Sequence, residues 1–239
     1  MSFHQTKTKP IISIIIPTFN EEKSIATCLK SIKKQNIDLP YEIIIIDHKS
    51  SDNTVKLAKS FTSSIYNEKK SGTGPARIKG VKKAKGAIIV FTEADCIFPK
   101  NWLKTLTKPL LSKQYIATSG NFRIHPQSNL DKFANKLFIN LFTNIYYFFR
   151  GHQLFRGKNC ATLKTSVTKT SWFKNPKIYY DDVQLGQDLA RQGEILYLDQ
   201  LKVLSSNRRH NKRTLPFIFE FIFNYFFSLK HKSSMKAVR

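Results

Sequence analysis

Acidic side chains are scarce in this chain: 16 Asp and Glu stand against 40 Lys and Arg in 239 residues, a formal net charge of +24 and a pI near 10.0. That balance favours anionic partners, whether nucleic acid, an anionic membrane face or phosphorylated substrates. A Lys-rich solvated surface gives the same totals. The lysines are scattered and the aromatics are not interleaved with them, so no nucleic-acid partner is expected. Cysteine is sparse too. Cys28, Cys96 and Cys160 are far apart, with no CxxC or Cys/His spacing, which argues against zinc and fits a reducing cytoplasm. Long apolar runs are missing: Leu215–Leu229 covers 15 residues and contains Glu220 and Asn224, whereas a membrane span needs about 20. The residues up to Pro10 hold no apolar core before a cleavage site, so no signal peptide is expected. Internal repeats and low-complexity linkers are absent.

What is present is a strand–helix alternation. Ile11–Ile16 reads as a buried strand stopped by Pro17, Tyr41–Ile46 as a second ending at Asp47, and Ala87–Phe91 as another. Helices are predicted over Glu21–Lys34, with Asn20 or a neighbour as cap, and from Ser51-Asp52-Asn53-Thr54 through Phe61. A glycine-rich loop, Gly72-Thr73-Gly74-Pro75, leads into a helix over Ala76–Ala84. A short strand is expected around Ser64–Tyr66. Further on, Arg156–Ala161 is loop-like and runs into a strand, Asp181-Asp182 opens a helix ended by Gly193, and Ile195–Leu198 is a short strand. The pattern predicts an α/β fold, a Rossmann-like, mostly parallel sheet with helices on both faces. The expected organisation is a tail over 1–10, a domain over 11–204 divided near 100 into a nucleotide-binding and an acceptor half, and a basic, aromatic segment over 205–239.

The run Ala87–Phe91 ends in Thr92-Glu93-Ala94-Asp95-Cys96. Two carboxylates at the carboxyl end of a buried strand sit where open α/β sheets bind ligands. In an apolar setting they call for a counter-charge, and a divalent cation supplies one that can also hold a diphosphate. The loops Pro17–Glu21, Asp47–Asp52 and Glu93–Asp95 are expected to converge on one crevice.

Four stations occur in order: Pro17-Thr18-Phe19-Asn20-Glu21, Asp47-His48-Lys49-Ser50-Ser51-Asp52, Glu93-Ala94-Asp95 and Asp181-Asp182-Val183-Gln184-Leu185-Gly186. Together they resemble the family-two glycosyltransferases of the GT-A fold. The resemblance implies a metal-dependent, inverting transfer of a sugar from a nucleotide-diphospho-sugar, UDP being the favoured nucleotide. It implies that Pro17, Thr18, Glu21 and Asp47 hold the donor nucleotide and that Arg77 reaches its diphosphate or ribose. Glu93-Ala94-Asp95 takes the place of the family's DXD motif, with Asp95 as ligand to Mg²⁺ or Mn²⁺ and Glu93, longer than the usual Asp, at the ribose or a metal-bound water. Asp182 would be the base and Asp181 its orienting partner. Gly157, Lys158 and Asn159 resemble a loop near the acceptor and donor sugar, and Arg208, Arg209 and His210 a basic motif over the diphosphate or a lipid phosphate. Each residue also has an ordinary alternative: Asp47 and Asp52 as helix or turn caps, Arg77 as a solvated helix residue, Asp181-Asp182 as charge at a helix start.

Leu215–Leu229 with its basic flanks, and the aromatic stretch Phe133–Phe149, suit a membrane interface or the covering of the sheet. An interfacial enzyme at the inner face of the cytoplasmic membrane would fit a lipid-linked or cell-envelope acceptor. A nucleotidyltransferase, or a non-catalytic basic membrane-binding protein, are the alternatives.

Overall fold

A computed structural model describes residues 9–124, 155–175 and 181–206. Arg208, Arg209, His210 and the stretches 133–149 and 215–229 lie outside the described residues. The first part alternates β1 (Ile12–Thr18), α1 (Ile25–Lys33), β2 (Tyr41–Asp47), α2 (Thr54–Lys59), β3 (Ile65–Asn67), α3 (Thr73–Lys83) and β4 (Ile88–Thr92). β5 (Cys96–Ile97), α4 (Trp102–Leu111) and β6 (Ala117–Ile124) follow. Then come β7 (Asn159–Leu163), the short helices α5 (Lys164–Val167) and α6 (Ser171–Lys174), α7 (Asp181–Ala190) and β8 (Ile195–Ser205).

The strands form one eight-stranded sheet in the order β3-β2-β1-β4-β7-β6-β8-β5. β3, β2, β1 and β4 are mutually parallel, and β6 is parallel to β8. β7 runs antiparallel to both β4 and β6, and β5 antiparallel to β8. β1 to β4 are thus parallel as expected, and the rest of the sheet is mixed.

The isoleucine runs follow from burial on two faces. Ile12, Ile14 and Ile16 of β1, Ile43 and Ile45 of β2, and Ile88 and Val90 of β4 pack on one face with Leu29 and Ile32 of α1 and Leu103 and Leu106 of α4. The alternate residues Ile15, Ile44, Ile46, Ile89 and Phe91 pack on the other with Val81 of α3, Trp172 of α6 and Leu185 and Leu189 of α7. A parallel strand covered on both sides has no polar face, so its sequence is continuously apolar. Each such side chain contributes roughly 1.5–3 kcal/mol of burial. No helix among the described residues is long and apolar enough to cross a membrane.

Several boundaries differ from the sequence reading. β1 continues through Pro17 to Thr18. Its pairing with β4 stops at Ile15, so Pro17 keeps only β2 as a ladder neighbour, and a missing N–H is tolerated there. α1 starts later than expected, at Ile25 after Ser24, while Asn20 takes a left-handed conformation (φ 52°) instead of capping the helix. The glycine-rich segment is not a loop: Thr73, Gly74 and Pro75 form the first turn of α3 behind Gly72 (φ 107°). First-turn N–H groups have no intrahelical acceptor, so Pro75 costs nothing there. β8 runs well past Leu198, because three extra residues in β8, Asp199–Leu201, stand opposite the Gly120/Asn121 step of β6 and let Lys202–Ser205 re-pair with Asn121–Ile124.

Candidate active site

The ends of β1, β2 and β4, the turn before β7 and the start of α7 supply the residues singled out in the sequence. The turns after β1 and β2 are tied together. Thr18 Oγ1 donates to Asp47 Oδ1 at 2.9 Å, and Asp47 accepts from Ser50 N (2.9 Å) and Ser50 Oγ (2.6 Å). Ser50 Oγ in turn accepts from Asn20 N, and Asn20 Oδ1 from Ser51 N, both at 2.9 Å. Asn20 and Lys49 each adopt positive φ, 52° and 53°, to close these turns. Such a conformation is unremarkable for Asn and strained for Lys. Glu21 is buried, accepts from Ser24 Oγ at 2.6 Å and donates its N–H to Thr54 Oγ1 at 2.7 Å. Asp52 accepts from Thr54 N and Glu22 N, tying the turn before α2 to the turn after β1, while the N-cap position itself is Asn53. Between the turns, Phe19 is half exposed, with its ring centroid 5.6 Å from that of His48.

Arg77 links the acidic turn after β4 to the acidic pair at the start of α7. It lies on α3 and is buried; its Nη1 donates to Asp181 Oδ2 at 2.8 Å and its Nη2 stands 3.8 Å from Glu93 Oε1. Thr73 Oγ1, on the same helix face four residues earlier, donates to Asp181 Oδ1 at 2.9 Å. Asp181 is buried between these two donors, whereas Asp182 is partly exposed and accepts from Gly157 N at 3.0 Å. A Cβ at Gly157 would lie 2.4 Å from Arg77 Nη2, so a larger residue there would push on the guanidinium that pairs with Asp181.

The electrostatics follow from this packing. Burial pulls the Arg77 guanidinium towards neutrality, but Asp181, Asp182 and Glu93 outweigh it and hold the proton more firmly than in water. Burial pushes the Asp182 carboxyl above the ordinary Asp range, its neighbour Asp181 adds to the rise, and Arg77 opposes it.

The acidic turn is less open than the sequence suggests. Ala94, expected at the donor, is buried in the core. Glu93 Oε2 lies 3.2 Å from Lys158 Nζ, and Cys96 Sγ lies 3.7 Å from Asp95 Oδ1. No group of three or more His, Cys, Asp or Glu able to hold a metal occurs among the described residues. A divalent ion of the Mg²⁺ type needs only one or two protein carboxylates, of which Asp95 is the candidate, with water and substrate phosphates completing its shell.

Asn159 is corrected. It is fully buried, accepts from Trp102 Nε1 at 2.8 Å and donates to Asn121 O (2.7 Å) and Leu201 O (2.9 Å). Its amide locks β7 to its surroundings and cannot touch a substrate. Thr73, Ser50 and Ser205 (the last beside Lys158) carry contacts that the sequence reading did not assign. Thr73 and Ser50 sit inside quoted motifs; Ser205 has no local signal, since strand pairing alone brings it there.

Residues 13–175 match the family model described as Glycosyl transferase family 2. The chain belongs to that family. It is 32% identical over 106 residues to "Glycosyltransferase AglE" of Haloferax volcanii, covering 41% of this chain and 35% of that protein. It is 27% identical over 197 residues to "UDP-Glc:alpha-D-GlcNAc-diphosphoundecaprenol beta-1,3-glucosyltransferase WfgD" of Escherichia coli, covering 77% and 72%. The chain therefore spans about a third of the first relative's length and most of the second's. Glucosyl-3-phosphoglycerate synthase from Mycobacterium tuberculosis, crystallised with Mn²⁺, uridine diphosphate and phosphoglyceric acid, superposes with a TM-score of 0.68 at 18% identity, covering 96% of this chain and 82% of that one. At that identity the likeness establishes the fold, which is GT-A. The chain is thus a glycosyltransferase-family domain on the expected sheet.

Proposed function

We propose that this domain transfers a sugar from a UDP-linked donor to a lipid-linked or cell-envelope glycan, with inversion at the anomeric carbon. The observation that carries the reading is Arg77, whose one guanidinium pairs both with Asp181 of the acidic pair and with Glu93 of the acidic turn. A base and a diphosphate-binding turn thereby share one crevice. On this reading Pro17, Thr18, Glu21 and Asp47 shape the nucleotide pocket, with the exposed Phe19 ring offering a flat apolar face to the base. Asp95 and the donor phosphates would hold Mg²⁺ or Mn²⁺, which stabilises charge on the departing diphosphate. Asp182 takes the proton of the acceptor hydroxyl as its oxygen attacks; Asp181, fixed by Arg77 and Thr73, orients it and raises its basicity.

Support for the donor comes from the uridine diphosphate and metal in the solved neighbours, and for the acceptor from the diphosphoundecaprenol glycan in WfgD's name. The +24 charge and the segment over 205–239 support a peripheral site on an anionic cytoplasmic membrane surface, with Arg208 and Arg209 as lipid- or diphosphate-phosphate contacts.

A thermal-shift screen of nucleotide sugars with and without Mn²⁺ tests the proposal. UDP-sugars with Mn²⁺ are expected to raise the melting temperature, since ligand at 100 times Kd adds about 2.7 kcal/mol to the native state. No response to any nucleotide sugar would contradict it.

A further inference from the structure

β4 and β7 run antiparallel with Thr92 opposite Asn159. The residue after one strand therefore meets the residue before the other, which sets Glu93 against Lys158. Lys158 is held from several sides. Its Nζ lies 3.2 Å from Glu93 Oε2, donates to Ser205 Oγ at 3.2 Å and stands 4.7 Å over the Phe122 ring. Its carbonyl accepts from Thr92 Oγ1 at 2.8 Å, and the next residue is the sealed Asn159. Both oxygens of Glu93 thus face cations, Lys158 on one side and Arg77 on the other. A divalent ion bound by Glu93 would have to displace Lys158 and stand beside Arg77.

We propose that Glu93 is the anchor of Lys158 and not a metal ligand, so that Lys158 presents a fixed positive charge to the donor diphosphate beside the ion held by Asp95. The acidic turn is then divided: one carboxylate serves the exchangeable cation and the other positions a cation built into the chain. The longer Glu reaches across to the lysine, where an Asp would fall short by one methylene. A planted ammonium of this kind is a point charge well suited to phosphate oxygens. This inference rests on the nucleotide-sugar reading above.

The test is Mn²⁺ binding followed by electron paramagnetic resonance in the presence of UDP, with UDP affinity measured by calorimetry in EDTA. Asp95→Asn is expected to weaken UDP-supported Mn²⁺ binding at least about tenfold, and Glu93→Gln to leave it within about threefold of the native protein. Lys158→Met is expected to weaken metal-free UDP binding about tenfold. It also frees Glu93, so Glu93→Gln in the Lys158→Met background should now weaken Mn²⁺ binding about tenfold. A tenfold loss of Mn²⁺ affinity in Glu93→Gln alone, or unchanged UDP binding in Lys158→Met, would overturn the division of roles while leaving the donor reading intact. Absence of UDP-dependent Mn²⁺ binding in the native protein would overturn the donor reading, and this proposal with it.

Discussion

Asp182→Asn loses sugar transfer by about 10²–10⁴-fold while the protein stays folded. The carboxylate combines partial exposure with a pKa lifted above the ordinary Asp range by burial and by Asp181. An amide of the same shape keeps one acceptor for the Gly157 or Val183 N–H groups that now bond the carboxylate, but cannot take a proton. Because the native pKa is raised, ionised Asp182 is a cost to the fold above that pKa, and neutralising it relieves repulsion with Asp181. The melting temperature at neutral pH should accordingly hold or rise. In the native enzyme the base works only when ionised, so activity should climb with pH through a midpoint above the usual Asp value. Single-turnover rates and melting curves of the two proteins check this. Retained rate in the variant would remove Asp182 from the chemistry.

Arg77→Met has the second large effect, and it reads out in two ways. The guanidinium is buried against Asp181, whose side chain is also buried. Removing one partner of such a pair leaves an uncompensated charge and typically costs 3–5 kcal/mol, visible as a lower urea midpoint. The second readout separates electrostatics from simple loss of packing. Arg77 holds the Asp182 pKa down against burial and Asp181. Without it the acid limb of the pH–rate profile should move to higher pH in whatever activity remains. A destabilised variant with an unmoved acid limb would show that Arg77 supports the fold alone.

The parallel half was legible because double-sided burial leaves a local trace. Apart from Ser13, Ile12–Ile16, Ile43–Ile46 and Ile88–Phe91 are apolar without alternation, and each is followed by a polar turn. Three of the four stations stand at or just after those strand ends, and the fourth opens α7. What the sequence hid was pairing at long range. Gly72-Thr73-Gly74-Pro75 looked like a loop because Gly and Pro usually break helices, yet as a first turn it delivers Thr73 to Asp181. Asn159 was expected near the ligands because Gly157, Lys158 and Asn159 resemble a family loop beside the acceptor and donor sugar. Its burial follows from Trp102, Asn121 and Leu201, residues that nothing local connects to it. The partner of Glu93 was hidden in the same way, since the antiparallel register of β7 puts Lys158 opposite it.

The central claim is a base at Asp182 attacking in line across a diphosphate held at the acidic turn. The most direct measurement follows the anomeric configuration of newly released sugar by proton NMR, with UDP-α-glucose as donor, Mn²⁺ present and water standing in for the acceptor. Inversion predicts β-glucose as the first product, before mutarotation, and its loss in Asp182→Asn. α-Glucose as the first product would contradict the account.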